Sequence, residues 1–295
     1  MRNLIIGCGY LGSRVAAAWL EQGHEVNVLT RSRERAGEFR QQRLRPVVGD
    51  VTRPASLESL PAADAVLYAV AWDRSGGQSR RQVLIDGLEC VLDALSDTVR
   101  KLVFISSTSV YGQTSGELVD EDSDCNPKTE NGRICLEAER RVADFAARHP
   151  ATQTVILRLA GIYGPNRLLQ RVAAVRAAEP IAGRPDAWLN LIHVEDAVST
   201  VLGAVESNSS HTTWLVSDGH PVQRRTYYEM LARFLAAPAP RFEASPEADT
   251  TRTHGLNKRC VNLRMLAELG VPLKFPRFED GLRASIDPTE GEASQ

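Results

Sequence analysis

Short runs dense in Val, Ile and Leu recur through the first half of the chain, at NLIIG, EVNVLT, RPVVGD, DAVLYAV and KLVFISS, and again at TVILRLA. They are apolar without period-two alternation, the pattern of strands buried on both faces of a parallel sheet. Between them the pattern turns helical. In LGSRVAAAWLEQG, Leu11, Val15, Ala18 and Trp19 share one face and Gly23 closes the helix. VLIDGLECVLDAL repeats the pattern between Leu84 and Leu95. Strand and helix alternating over short connections predict an α/β fold, a Rossmann-type doubly wound parallel sheet with right-handed crossovers.

After about residue 165 the texture changes, because Pro165, Pro180, Pro185 and Pro221 break the chain into shorter elements. This predicts one domain over 1–165 and a smaller lobe, interleaved with it, over 166–285. In the second half the pattern predicts a helix at VEDAVSTVLGAVE, a strand at TTWLVSD and a helix at RRTYYEMLARFLAA. The polar, proline-punctuated PAPRFEASPEADTTRTHG reads as a surface loop, and 286–295 as a disordered tail.

Composition narrows the partners. A formal net charge of -2 over 295 residues supplies neither a nucleic-acid tail nor a membrane-surface patch. No apolar run approaches membrane-spanning length, and the glycines that interrupt the amino-terminal apolar run argue against a signal peptide. Five cysteines, Cys8, Cys90, Cys125, Cys135 and Cys260, form no CxxC pair and have no histidine at metal-ligand spacing. That usage fits a reducing cytoplasm and no metal site.

LIIGCGYLGSRVA fits G-x-G-x-x-G after a strand and at a helix start. Gly7 permits the tight turn, Gly9 lets the backbone approach a pyrophosphate, and Gly12 allows close packing of a helix whose amides face the anion. The dinucleotide follows from the end of the second strand. VLTRSRER supplies Thr30, Arg31, Ser32 and Arg33, with no acid before Glu34 to hold ribose hydroxyls. NADP(H) is therefore expected over NAD(H).

GYLG at 9–12, VGDVT at 48–52, YAVA at 68–71, ISSTSVYG at 105–112, LRLAGIYGP at 157–165 and IHVEDAV at 192–198 together resemble an extended short-chain dehydrogenase/reductase of the epimerase and dehydratase type. The resemblance reaches to about residue 285. It implies that Gly9, Tyr10, Leu11 and Gly12 form the cofactor loop, that Asp50 and Val51 lie against the adenine, and that Ala69, Val70 and Ala71 lie against the cofactor's central part. It also implies Ser107 in an active site and a homodimer paired through helices at 79–97 and 128–148. The family's usual first glycine falls at Ile6, with Gly7 one residue later.

One departure bears on chemistry. Laying P-x-S-x-Y-G-x-S-K-x-x-x-E over PKTENGRICLEAE puts Asn131 at the tyrosine and Cys135 at the lysine. An amide does not titrate usefully, and a neutral thiol cannot stabilise a phenolate. Two classes of function stay open. One is an atypical oxidoreductase or isomerase acting on a nucleotide-sugar-like or other small carbonyl or hydroxyl substrate, with Ser107, Tyr111, Tyr163 or His193 moving the proton. The other is a non-catalytic NADP(H)-binding redox sensor or regulatory protein.

Overall fold

The computed structural model describes residues 1–243 and 255–286. The centre of the loop expected at 238–255, and all of the expected tail beyond Ile286, lie outside the described residues. A seven-stranded sheet organises the chain. Its first strands are β1 (Arg2–Ile6), β2 (Glu25–Thr30), β3 (Arg45–Val48), β4 (Ala65–Tyr68) and β5 (Lys101–Ser107). A two-stranded ladder gives β6 (Glu117–Val119), and β7 (Gln153–Leu159) returns to the sheet. After β7 come β8 (Gly161–Tyr163), β9 (Ile181–Ala182), β10 (Trp188–Leu189), β11 (Leu191–His193) and β12 (Thr213–Val216). The large sheet runs β12-β7-β5-β4-β1-β2-β3. β3, β2, β1, β4 and β5 pair in parallel, with Leu4 opposite Asn27 on one side and Val66 on the other.

Helices form the crossovers: α1 (Gly12–Glu21), α2 (Arg33–Gln41), α3 (Gly87–Ala94) behind a π-helical turn at Gln82–Asp86, and α4 (Glu130–Arg148). The apolar stripe of α4 (Ile134, Ala138, Val142 and Phe145) joins Leu4, Ile6, Val66, Leu102 and Phe104 of the strands in one core cluster. Spacings of three and four residues place such a stripe on one side of a helix. Later come α5 (Leu169–Arg176), α6 (Val194–Glu206) and α7 (Arg224–Phe234), followed by helices Leu263–Leu269 and Phe278–Ile286.

The chain forms two compact units. The first comprises Met1–Ser107, Arg133–Arg158 and Val198–Trp214. The second comprises Thr108–Gly132, Leu159–Ala197 and the described residues from Leu215 onward. This differs from a division at residue 165. The strand expected at TTWLVSD is β12 on the edge of the large sheet, and most of α6 lies in the first unit. The prolines mark shorter elements but not a border, since a strand late in sequence can still complete an early sheet. The second unit has its own core, built from Tyr163, Leu168, Leu191, Tyr227, Leu231, Phe278 and Leu282.

A buried ion pair ties three elements of the first unit. Glu139 of α4 receives Arg158 of β7 at 2.8 to 3.2 Å and the Ser106 hydroxyl of β5. The Glu139 and Arg158 side chains are only 5% and 10% exposed.

Candidate dinucleotide site

The strand order reverses between β1 and β4, and open α/β sheets bind ligands in the crevice at the carboxyl ends flanking such a point. A cavity of about 270 Å³ lies there. Gly7, Cys8 and Gly9 line it after β1, Thr30, Arg31 and Ser32 after β2, Asp50 and Val51 after β3, and Ala69 to Ala71 after β4.

The three glycines differ in what they make room for. Gly7 has φ +99°, and a Cβ there would sit 2.4 Å from the Ala69 carbonyl carbon, so this loop can cross the end of β4 only as glycine. At Gly12 a Cβ would meet the Gly7 carbonyl oxygen at 2.5 Å, which lets α1 start directly against the loop. Nothing lies within 4 Å of a Cβ at Gly9. Gly9 itself lines the cavity. Leu11 caps α1 without any side-chain hydrogen bond, and the first turn carries no acid, so the positive helix end is not neutralised locally.

The basic rim differs from expectation in one residue. Arg33 opens α2 as an exposed side chain and does not line the cavity, whereas Arg35 does. Ser32 caps α2 by accepting the Arg35 amide, and this turn sends the Arg35 guanidinium back to the Cys8 carbonyl at 2.9 Å. A residue three past the cap in RSRER was the available signal for it. Tyr10, Leu11 and Gly12 do not line the cavity. The Tyr10 ring lies 4.1 Å from the Arg14 guanidinium, and Leu11 is buried.

Two carboxylates approach Arg31, Asp50 and the Asp73 that the sequence argument did not weigh, and both are engaged locally. Asp50 accepts the Thr52 amide and hydroxyl at 2.9 and 2.8 Å. Burial opposes its ionisation, but Thr52, Arg31 and Arg53 together hold the carboxyl below its ordinary value. Asp73 accepts from Ser75, which, with a smaller contribution from Arg31, lowers its pKa too. Arg31 lies against the turn after Trp72, where a Cβ on Gly76 would come within 3.2 Å of its Nη1. Burial pushes the Cys8 thiol up to about 11, against the pull of Arg35, so this cysteine is a neutral wall.

The remaining candidates are placed as follows. Ser107 ends β5, half-buried, in the first unit. In the second unit Tyr111 is fully buried and the Asn131 amide donates to the Ser109 hydroxyl at 3.2 Å. Cys135 follows Asn131 by one turn on α4. Tyr163 and His193 pack edge to face at 5.2 Å, with Phe275 4.0 Å from the imidazole. His193 accepts the Glu195 amide at 3.3 Å, and burial raises the Tyr163 phenol far above its ordinary value. These two read as interior packing groups.

A parallel sheet in this order, with a glycine-lined crevice and an uncapped helix start at its switch point, defines a nicotinamide-dinucleotide-binding protein. Residues 4–216 match the NAD dependent epimerase/dehydratase family. The chain belongs to that family. It is 29% identical to Protein YeeZ of Escherichia coli (strain K12), over 92% of this chain and 95% of that one. It is 28% identical to a 3-diazoavenalumate denitrifying reductase of a Streptomyces species, over 96% and 99%. UDP-glucose 4-epimerase of Thermus thermophilus, solved with NAD, shares the fold at a TM-score of 0.81 and 21% identity, over 99% and 100% of the two chains. Among the described residues no helix is long and apolar enough to cross a membrane.

Proposed function

We propose that the protein binds NADP(H) in preference to NAD(H) and is a reductase of small carbonyl compounds that works without a tyrosine-lysine pair. The observation that carries the cofactor reading is the rim formed by Arg31, Ser32 and Arg35 around the cavity, with no acid at the end of β2. Two guanidinium groups and a hydroxyl suit a phosphate dianion, while a ribose diol calls for a carboxylate at that place. Asp50 and Asp73 do not supply it, because Thr52 and Ser75 already engage them. The reductase reading is supported by the similarity to the Streptomyces reductase, and Asn131 and Cys135 mean that its proton comes from a group other than a tyrosine paired with a lysine.

Titration of nicotinamide fluorescence tests the cofactor half. Charge-assisted contacts of about 1.5–3 kcal/mol correspond to roughly 10- to 150-fold in affinity. Arg31→Ala and Arg35→Ala are each expected to weaken NADPH by at least about tenfold and to leave NADH unchanged. Equal wild-type affinities for the two cofactors would overturn the preference.

The second half predicts no turnover of UDP-glucose or UDP-galactose through the tyrosine route. Losing a positioned acid-base group forfeits about 10²- to 10⁴-fold in rate. Asn131→Tyr combined with Cys135→Lys is expected to raise hydride transfer from its wild-type level, read as a change in nicotinamide absorbance. Robust epimerase activity in the wild-type chain would defeat this reading. NADPH binding together with inertness toward a broad carbonyl panel would favour the sensor. Pairing into a homodimer through the helices at 79–97 and 128–148 is proposed on resemblance alone, and sedimentation decides it.

A further inference from the structure

Two lysines are buried among the described residues, and they differ in what serves them: Lys101 donates to both Gln153 and the Ser207 carbonyl, whereas Lys258 has one acceptor. Lys258 starts the short strand Lys258–Cys260, which pairs in parallel with β6 so that Lys258 faces Glu117 in the register. The residue is 7% exposed, and its ammonium donates to the Tyr111 carbonyl at 3.2 Å. An ammonium has three protons to donate, and among the described residues no other acceptor and no carboxylate takes them. Buried lysines are ordinarily paired, so a buried one served by a single backbone oxygen calls for an explanation.

The position is built rather than accidental. Asn190 accepts the Cys260 amide at 2.7 Å and donates to the Lys258 carbonyl at 2.9 Å, and Asn257 donates its amide to the Gln113 carbonyl. The receiving segment is equally fixed. A Cβ on Gly112 would overlap the Asn126 carbonyl oxygen, and one on Gly132 would come within 2.2 Å of the Ser109 carbonyl oxygen. Residues 109–112 are thus clamped against the start of α4, where Asn131 holds the Ser109 hydroxyl.

Among the described residues the neighbouring charged side chains are engaged elsewhere. Glu117 turns its carboxylate onto the Ser115 amide, and Arg259 turns away to the Gly116 carbonyl. Burial drives the Cys260 thiol up to about 12, so it is neutral, and Asp218 and Glu121 act on that thiol. Burial also lowers the Lys258 ammonium from its ordinary value, with Cys260 opposing.

We propose that Lys258 is the anchor for an oxyanion of the substrate, a carboxylate or a phosphate, held beside the Ser109–Asn131 pair. The bound anion supplies a counter-charge that none of the described residues provides. This rests on the reading of the chain as an enzyme with a small-molecule substrate. It gives that substrate a negative charge, and it assigns a functional lysine outside the segment where the family resemblance looks for one.

The sign of the pH dependence follows. In the free protein the ammonium loses its proton below the ordinary lysine value, and a bound anion raises that value. Between the two values, binding takes up a proton and affinity falls as pH rises. Below the lower value the lysine contributes no pH dependence.

Calorimetric titration of the full chain with oxamate and with inorganic phosphate, in buffers of different ionisation enthalpy from pH 7 to pH 10, tests this. Wild type is expected to bind one of the two, the choice telling a carboxylate site from a phosphate site, with proton uptake growing toward high pH. Lys258→Met should weaken that binding by at least about tenfold, and Lys258→Arg should keep the binding but abolish the uptake, because a guanidinium stays charged. Two probes left unbound by wild type, unchanged affinity in Lys258→Met, or uptake persisting in Lys258→Arg would each overturn the proposal. If Lys258→Met does not fold, the arginine variant and the pH series still decide. NADPH affinity measured on the same samples separates the two readings: its preference over NADH belongs to the Arg31 and Arg35 rim and is expected to be unchanged in every Lys258 variant.

Discussion

Gly9→Val is expected to raise the dissociation constants for both NADPH and NADH by more than about 100-fold, a loss of some 2.7 kcal/mol, while the protein stays folded. The contrast among the glycines sets this apart from general damage. A side chain at Gly9 enters open space above the loop and touches no protein atom within 4 Å at its Cβ, so thermal melting should move by no more than about 2 °C, as for substitutions that break no packing. The space it fills is the approach a pyrophosphate needs to reach the start of α1. Gly7→Ala should do the opposite. Its Cβ would overlap the Ala69 carbonyl, and the backbone sits at φ +99°, so the purified variant should be largely unfolded by circular dichroism. Retained cofactor binding in Gly9→Val would mean that the cavity at the switch point is not where the dinucleotide lies.

Glu139→Ala is expected to cost about 3–5 kcal/mol, a large part of the roughly 5–15 kcal/mol that holds a typical domain together. The substitution removes both carboxylate oxygens from a guanidinium whose side chain is 10% exposed, and it strips the Ser106 hydroxyl of its acceptor as well. The loss therefore reflects Arg158 left charged without its counter-ion more than the worth of the pair. Glu139→Met with Arg158→Met should recover most of the stability, because two apolar side chains of similar volume need no partners. Urea denaturation of the two variants decides. A double variant as unstable as Glu139→Ala would show that the pair itself, rather than its breakage, holds α4, β5 and β7 in place.

The sheet was legible where each strand is buried on both faces. EVNVLT and KLVFISS are strands over their full quoted length, because continuous apolar runs bounded by polar turns leave little freedom of register. VEDAVSTVLGAVE is α6 from end to end. The membership of later elements was not legible. Whether Trp214 and Leu215 complete the large sheet or a small one depends on a partner strand far back in the sequence, and no local pattern encodes that. At the site, backbone geometry at the glycines could be read from G-x-G-x-x-G, whereas the choice between Arg33 and Arg35 rests on which direction the first turn of α2 presents to the loop. Lys258 left no signal at all. A lysine between Asn257 and Arg259 looks like a solvated charge until the fold buries it.

The division of the chain into segments that alternate between the two units carries a consequence for its history and its engineering. The path changes unit after Ser107, Gly132, Arg158, Ala197 and Trp214. No single cut frees either unit as one continuous piece, so a fragment ending at any of these points carries an incomplete core into solution. Recombination that grafts a new second unit onto the first would need matched junctions at all of those points. Diversification within such a chain is accordingly confined to substitutions and loop insertions between the crossings, and a laboratory chimera made with one splice should fail for reasons of threading rather than of chemistry.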